Sequence, residues 1–345
     1  MREIKITAND AGRRLDRFLR KYLAKASLGE IYKIIRKDVK VDGRRRPESY
    51  ILNEGEVLSL YLSDETIADL SADTRSGSGG QKARKQFRII FEDDNILIAD
   101  KPFGLLTHGD AHEKKNHLAN QVRDYLISRG AFDPSSEKVF SPAPANRLDR
   151  NTTGLVLFGK TAPALRALGE MIRGDMVSKY YLTIAAGILD QEQTLTGSLS
   201  KDESANKVLI NKEGGREIMT VVTPVEHLKF GGGIDATLVL VRLVTGRSHQ
   251  IRAHLASIGH PLAGDVKYQT GRSRRLNEYV KSEFSLTTQL LHAYRIRFDT
   301  APEELAYLAG REFTAPLPAR FREILSAAGS SFAESQQDRM SRDRK

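Results

Sequence analysis

Gly154-Leu155-Val156-Leu157-Phe158-Gly159-Lys160-Thr161 admits two readings, and the choice between them decides the architecture. Letter for letter the stretch fits G-x-x-x-x-G-K-[ST], the loop that cradles phosphate ahead of a helix in nucleotide-binding proteins. Such a loop must curl so that successive backbone N–H groups point inward, which needs small or flexible residues before the Lys. Leu, Val, Leu and Phe are instead the residues of a strand. Thr161 and Pro163 then open a helix that turns Leu165, Leu168 and Ile172 toward a core. No G-x-G-x-x-G opens a helix after a strand elsewhere, and Gly231-Gly232-Gly233 lies between two β-rich runs as a loop. No nucleotide cofactor is expected.

Working outward, further strands are expected in FRIIFE and NILIAD around Asp93, Asp94 and Asn95, and in Leu155 to Phe158, Tyr180 to Ala185, Met219 to Val222 and Leu238 to Val244. Several are joined by short turns rather than helices. This predicts an α+β domain over 87–328 with a mixed, largely antiparallel sheet flanked by helices, not a doubly wound one. Residues 63–86 lose apolar periodicity and are rich in Ser, Gly and charge, which predicts a flexible linker. Residues 329–345 read as a disordered polar tail.

The 345 residues carry 54 Lys and Arg against 44 Asp and Glu, a net +10, with no Cys or Trp. Lack of cysteine excludes disulfides, thiolate nucleophiles, iron–sulfur clusters and thiolate-bound zinc. MREIKITANDAGRR has no apolar signal core, and no run approaches the roughly 20 apolar residues that span a bilayer. A cytoplasmic protein with no membrane partner is expected. The charge is uneven, since residues 1–62 hold fifteen Lys and Arg against nine Asp and Glu, or +6 of the total. Leu15, Phe18, Leu19 and Tyr22, then Leu28, Ile31, Ile34 and Ile35 after Ser27, recur at helical spacing. Val39 and Val41, the Asp42-Gly43 turn and the Val57 to Leu62 strand follow. Arg13, Arg14, Arg17, Lys33, Arg36 and Lys37 line the polar faces of this small α/β module. Two adjacent helices biased toward one sign of charge point to a polyanionic partner.

Metal spacing is lacking. His108, His112 and His117 lie in a polar, irregular stretch, and His249 and His254 are five apart with Arg252 between them. Three other segments carry candidate chemistry. In Asn146-Arg147-Leu148-Asp149-Arg150 one acid lies between two arginines. That is either a surface ion pair, worth about 0–1 kcal/mol, or a carboxylate held ionised for nucleophilic work. In Thr245-Gly246-Arg247-Ser248-His249-Gln250-Ile251-Arg252, Ser248 is the expected helix cap, and donors crowded at a helix N-terminus suit an anion. In Ser178-Lys179-Tyr180-Tyr181 the tyrosines either pack as strand residues or stack on a base.

These segments resemble the signatures of the RluA-type pseudouridine synthase family. N-R-L-D-R-N-T-T-G-L is similar to its [HN]-R-L-D-x-x-T-S-G-L, and T-G-R-S-H-Q-I-R-A-H-L-A-S-I-G-H-P-L-A-G-D to its second signature. Lys101-Pro102-Phe103-Gly104-Leu105 with His108, Lys179-x-Tyr181 and Leu291-His292-Ala293 follow the family's order. The front module resembles the RNA-binding domain shared with ribosomal protein S-four, a pairing similar to the RluC and RluD branch. Asn146 stands where His is more usual.

The resemblance implies the pseudouridine synthase fold and cofactor-free, metal-free isomerisation of uridine in large-subunit ribosomal RNA by a monomer. It implies that Asp149 is the catalytic carboxylate, that Arg252 pairs with it, and that Tyr181 stacks on the uracil and assists proton transfer. Arg147 would fill the space left by the flipped nucleotide. His108, Arg150, Lys179, Arg247, His249 and Gln250 would touch RNA, and the basic front module would grip phosphates. A transfer-RNA substrate and a non-catalytic RNA-binding or ribosome-assembly factor are the alternatives. A glycoside hydrolase would need a second acid, for which the sequence offers no candidate.

Overall fold

Apolar spacing at the front of the chain produces the helices it predicts. A computed structural model describes residues 1–71, 85–137, 139–202, 207–211 and 216–333. The front module runs β1 (Arg2–Lys5), α1 (Leu15–Tyr22), α2 (Leu28–Asp38), β2 (Val39–Val41), β3 (Val57–Leu60) and α3 (Asp64–Leu70). The three strands form an antiparallel sheet in the order β1-β3-β2. Phe18, Leu19, Ile31 and Ile35 pack with Ile4, Val41 and Leu58 into one core. Ser27 and Glu30 make a reciprocal capping box at the start of α2. α3 corrects the expected linker. Ser63 accepts the Thr66 N–H and Ile67 is buried in the front core, so 64–70 is a helix whose short apolar face is too brief to show periodicity. Residues 72–84 lie outside the described residues.

The second unit contains β4 (Arg88–Glu92), β5 (Ile96–Lys101), α4 (Leu118–Ser128), β6 (Ala143–Pro144), β7 (Thr153–Gly159), α5 (Ala162–Arg173), β8 (Val177–Ala186), β9 (Gln193–Asp202), β10 (Lys207–Asn211), β11 (Arg216–Phe230) and β12 (Ile234–Leu243). It continues with α6 (Gln250–Ser257), α7 (Arg274–Phe284), β13 (Leu291–Phe298), β14 (Glu312–Thr314) and α8 (Ala319–Ala327). Among the described residues one sheet runs β10-β9-β11-β12-β8-β13-β7-β5-β4, with β6 on β7 and β14 on β13. Its neighbours are antiparallel except β13 and β7, which run parallel through His292 opposite Thr153 and Ala293 opposite Gly154. The mixed, largely antiparallel α+β expectation agrees with this.

The deciding stretch is strand β7 and the start of α5. All of β7 is buried, which is why it reads as a continuous apolar run. Thr161 Oγ1 accepts the Ala164 N–H, and Lys160 pairs with Glu92 at 2.9 Å. Gly154 has φ +105°, and a Cβ there would lie 2.2 Å from the Ala293 carbonyl oxygen, so only glycine permits the β7–β13 approach.

The front module docks on the sheet domain at the N-terminus of α5. Asn9 Oδ1 accepts the Ala162 N–H at 2.8 Å while its Nδ2 donates to Glu137 at 2.6 Å. Arg166 donates to the Ala11 carbonyl at 3.1 Å, and Val139 is buried in the front core. At the far end the expected tail also begins in an ordered way. Ser330 and Ser331 hydrogen-bond Glu226, and Ala333 is buried, while 334–345 lie outside the described residues. No helix among the described residues is long and apolar enough to cross a membrane.

Candidate active site

The three candidate segments converge. The loop before β7, strand β8 and the N-terminus of α6 enclose a cavity of about 290 Å3 that Arg147, Asp149, Lys179, Tyr181, Arg247, His249 and Arg252 line. That is at the lower edge of small-molecule sites, roughly 300–1,000 Å3. A second cavity of about 500 Å3 shares Arg147, Asp149, His249 and Arg252 and extends to His108, Arg150 and Asp265. Asp149 thus faces both.

The loop bearing Asp149 is fastened on three sides. Asn146 Oδ1 accepts the Leu157 N–H at 2.8 Å, docking the loop on β7. Thr107 Oγ1 donates to the Leu148 carbonyl at 2.8 Å and accepts its N–H at 3.1 Å. From beneath, the fully buried Lys101 ammonium donates to the carbonyls of Leu105 at 2.7 Å and Arg150 at 2.9 Å. Burial pushes Lys101 down to about 7, opposed by the negative charges of Asp149 and Asp100. Neither Lys101 nor Thr107 stands out as chemistry in the sequence, although Lys101 opens the K-P-F-G-L segment.

Strand alternation places Lys179 and Tyr181 on the cavity face of β8 and sends Tyr180 to the other side, where Arg295 stacks on its ring at 4.3 Å. Burial, reinforced by Asp149, pushes the Tyr181 hydroxyl up, so it is a protonated phenol at neutral pH. Lys179 is pushed down by burial, with Asp175 opposing.

The helix α6 departs from expectation in two respects. Its cap is not Ser248. His249 is the N-cap, with a left-handed backbone at φ +56°, ψ +12°, and Ser248 Oγ instead accepts from Arg147 at 3.3 Å. Arg252 does not pair with Asp149 either. Its Nε donates to Asp265 Oδ2 at 2.6 Å and its Nη2 to Oδ1 at 2.8 Å, and both side chains are buried. Bidentate geometry and complete desolvation make Asp265 the better partner, but that residue lies thirteen positions away, beyond the end of α6.

Gln250 is also corrected. Its amide donates to the Met219 carbonyl and Thr220 Oγ1, both at 2.9 Å, and accepts from Thr245 Oγ1 and the Arg247 N–H. With both donors and the acceptor engaged it fixes the loop into α6 rather than offering itself to RNA. The arginines flanking Asp149 make their side-chain contacts elsewhere. Arg147 reaches Ser248, and Arg150 lies 3.6 Å from Asp110. His249 Nε2 sits 3.9 Å from Asp149 Oδ2. His249 Nδ1 lies 3.2 Å from the Tyr268 hydroxyl, and Tyr268 in turn packs under the Arg252 guanidinium. His108 and Arg247 stand exposed at the cavity rims.

On the front module Arg17, Lys33, Arg36 and Lys37 are exposed. Arg14 is held by Asp16 at 2.7 Å, and Arg13 is half-buried near Asp10 and Arg166 at the seam, where burial pushes its guanidinium down. Sequence reasoning passed over Arg44 and Arg45, although the RRR run after Asp42-Gly43 was visible. Arg45 donates to the carbonyls of Arg36 and Lys37, closing the C-terminus of α2 beneath the basic surface.

Comparison with known proteins places the chain in a family. A family model described as RNA pseudouridylate synthase matches residues 95–257, which include the Asp149 loop, Tyr181 and Arg252. Ribosomal large subunit pseudouridine synthase C of Vibrio cholerae is 31% identical over 331 residues, covering 94% of this chain and 95% of its own. The protein of that name in Haemophilus influenzae is 33% identical over 300 residues, covering 85% and 86%. In fold, the chain is similar to human RNA pseudouridylate synthase domain containing 4, with a TM-score of 0.50 at 19% identity over 70% of this chain and 92% of that one. The chain belongs to the RluA-type family of RNA pseudouridine synthases, enzymes that isomerise uridine to pseudouridine.

Proposed function

We propose that this enzyme converts particular uridines of large-subunit ribosomal RNA to pseudouridine in the cytoplasm, acting as a monomer without metal or cofactor, with Asp149 as the catalytic carboxylate. The observation that carries the reading is the placement of Asp149 at the junction of two cavities, with Tyr181 lining the smaller one beside it. The names of the relatives from Vibrio cholerae and Haemophilus influenzae support the choice of ribosomal RNA. The reaction breaks the N1–C1′ bond, turns the base and joins C1′ to C5, with no redox change.

A uridine inside a helix cannot reach Asp149 and must be flipped, at a few kcal/mol. Arg147, exposed at the rim of both cavities, fills the vacated stack. Tyr181 stacks on the uracil and, as a protonated phenol, assists proton transfer by donating a hydrogen bond. Arg252 holds the far wall of the cavity through Asp265 and positions Asp149 across it. Lys179, Arg247, His108 and Arg150 contact the neighbouring nucleotides, and Arg17, Lys33, Arg36 and Lys37 grip backbone phosphates without reading sequence.

Pseudouridine mapping of ribosomal RNA from cells with and without the gene tests the substrate, with the Asp149→Asn protein as a complementation arm. The expected result is the loss of discrete large-subunit sites that Asp149→Asn fails to restore, although the variant still binds the RNA. Loss confined to transfer RNA would replace the substrate, and full restoration by Asp149→Asn would overturn the mechanism.

A further inference from the structure

His249 holds a left-handed backbone at the head of α6. A non-glycine residue in the left-handed region is uncommon, and such strain persists where the surroundings over-determine it. At His249 the consequence is specific. The turn swings the imidazole off the axis of α6 and into the space between the cavities, both of which it lines. Nδ1 is steered by the Tyr268 hydroxyl at 3.2 Å, in an edge-on ring contact, and Nε2 is left facing Asp149 at 3.9 Å. That gap is too long for a direct hydrogen bond, so Nε2 is not committed to Asp149 and remains open to the space that both cavities share.

The isomerisation also requires a proton to move from C5 to N1, and so a group that can both take it and give it back. After C5 joins C1′, the C5 hydrogen must leave as a proton, its bonding pair restoring the C5–C6 double bond, and the former glycosidic nitrogen N1 must gain a proton. Asp149 is released from C1′ only as C5 bonds there and stands on the sugar side of the base, while Tyr181 is a protonated phenol. Arg147, Arg247 and Arg252 accept nothing. Resting on the pseudouridine synthase reading, we propose that His249 is a further catalytic residue, the proton carrier that takes hydrogen from C5 at Nε2 and returns a proton to N1. The neutral ring donates Nδ1–H to the Tyr268 oxygen and so keeps its Nε2 lone pair turned into the cavity. No outside acid, base or oxidant is needed.

The charges around the ring favour this form. Burial and the cations Arg252 on α6 and Lys267 beyond it lower the imidazole below its ordinary value, while Asp149 and Asp265 pull the other way. The wild-type rate is therefore expected to fall in acid, further down in pH than an ordinary imidazole would dictate, as the carrier becomes an imidazolium that cannot accept.

The decisive experiment compares wild type with His249→Asn on RNA whose target uridine carries hydrogen or deuterium at C5. Asn adopts the left-handed backbone and remains polar but carries no proton at this pH. Expected are a loss of about 100-fold or more in single-turnover rate, a C5 isotope effect larger than in wild type, and disappearance of the acid limb of the pH profile. Tyr268→Phe, which frees the ring without removing it, loses less and keeps the limb. Full activity of His249→Asn would overturn the proposal, as would a slow variant with an unchanged isotope effect and pH profile, which would mark a structural residue. An acid limb that survives in His249→Asn and vanishes in Lys179→Met would assign the proton to Lys179 instead. If Asp149→Asn proves active, the underlying mechanism fails. If it is dead and His249→Asn is unimpaired, only the role of His249 fails.

Discussion

Arg252 and Asp265 form a bidentate ion pair with both contacts at or below 2.8 Å and neither side chain open to solvent. Removing one member leaves the other as an uncompensated buried charge, so Arg252→Gln or Asp265→Asn is expected to cost about 3–5 kcal/mol, read from urea unfolding. The double change Arg252→Met with Asp265→Leu recovers most of that stability but no activity. Single variants within about 1 kcal/mol of wild type would show that the pair is not desolvated in solution.

Gly154→Ala is expected to lose more than about 2 kcal/mol, because it adds left-handed strain to a 2.2 Å collision with the Ala293 carbonyl. Gly104, also at positive φ but with open space around it, serves as the control, and Gly104→Ala loses less. Thermal unfolding of both variants checks the contrast.

Acid destabilises this fold through buried neutral histidines. Burial pushes His292 down to about 4, opposed by the Ala315 carbonyl, and His254 down to about 4. Unfolded histidine titrates near 6.5, so between about pH 6.5 and 4 the unfolded chain binds more protons and stability falls as pH falls. For fully buried His292 this amounts to roughly 3 kcal/mol. Asp100, pushed up to about 6 by burial, works in the opposite sense over part of the window, as one carboxyl against two imidazoles. His292→Gln should flatten the acid slope of a denaturation series; an unchanged slope would place the titration elsewhere.

Arg17→Ala, Lys33→Ala and Lys37→Ala are expected to reduce the slope of log affinity against log salt by about 0.7–0.9 for each phosphate no longer neutralised, leaving the single-turnover rate at saturating RNA unchanged. Arg14→Ala should have less effect on the slope, since Asp16 already neutralises that side chain. Equal slopes for all four variants would move the phosphate-binding surface off the exposed faces of α1 and α2.

What the sequence made legible was whatever depends on residue type within a few positions. Four large apolar residues in Leu155–Phe158 cannot be a phosphate loop, and Ser27 followed by Glu30 is a helix start whatever surrounds it. β9 was not legible, because Gln193–Asp202 is built from Thr, Ser, Gly and charge and owes its strand to pairing with β11. At the site, the types and order of Asp149, Tyr181 and Arg252 could be read, but their partners could not. Asp265 meets Arg252 across a turn, and the left-handed bend at His249 that displaces Ser248 from the cap follows from tertiary contacts with Tyr268 and Asp149 rather than from local preference.

Two residue pairs of parallel ladder, at Thr153 and Gly154, join β7 to β13 in the middle of the great sheet. On one side of that join lies the stretch of chain that supplies Asp149; on the other lie Tyr181, His249 and Arg252. Asp149 and the side chains that face it therefore belong to separate halves of the polypeptide, joined in the sheet by a parallel weld only two residues long. The weld tolerates almost nothing, because any side chain at Gly154 would strike the Ala293 backbone.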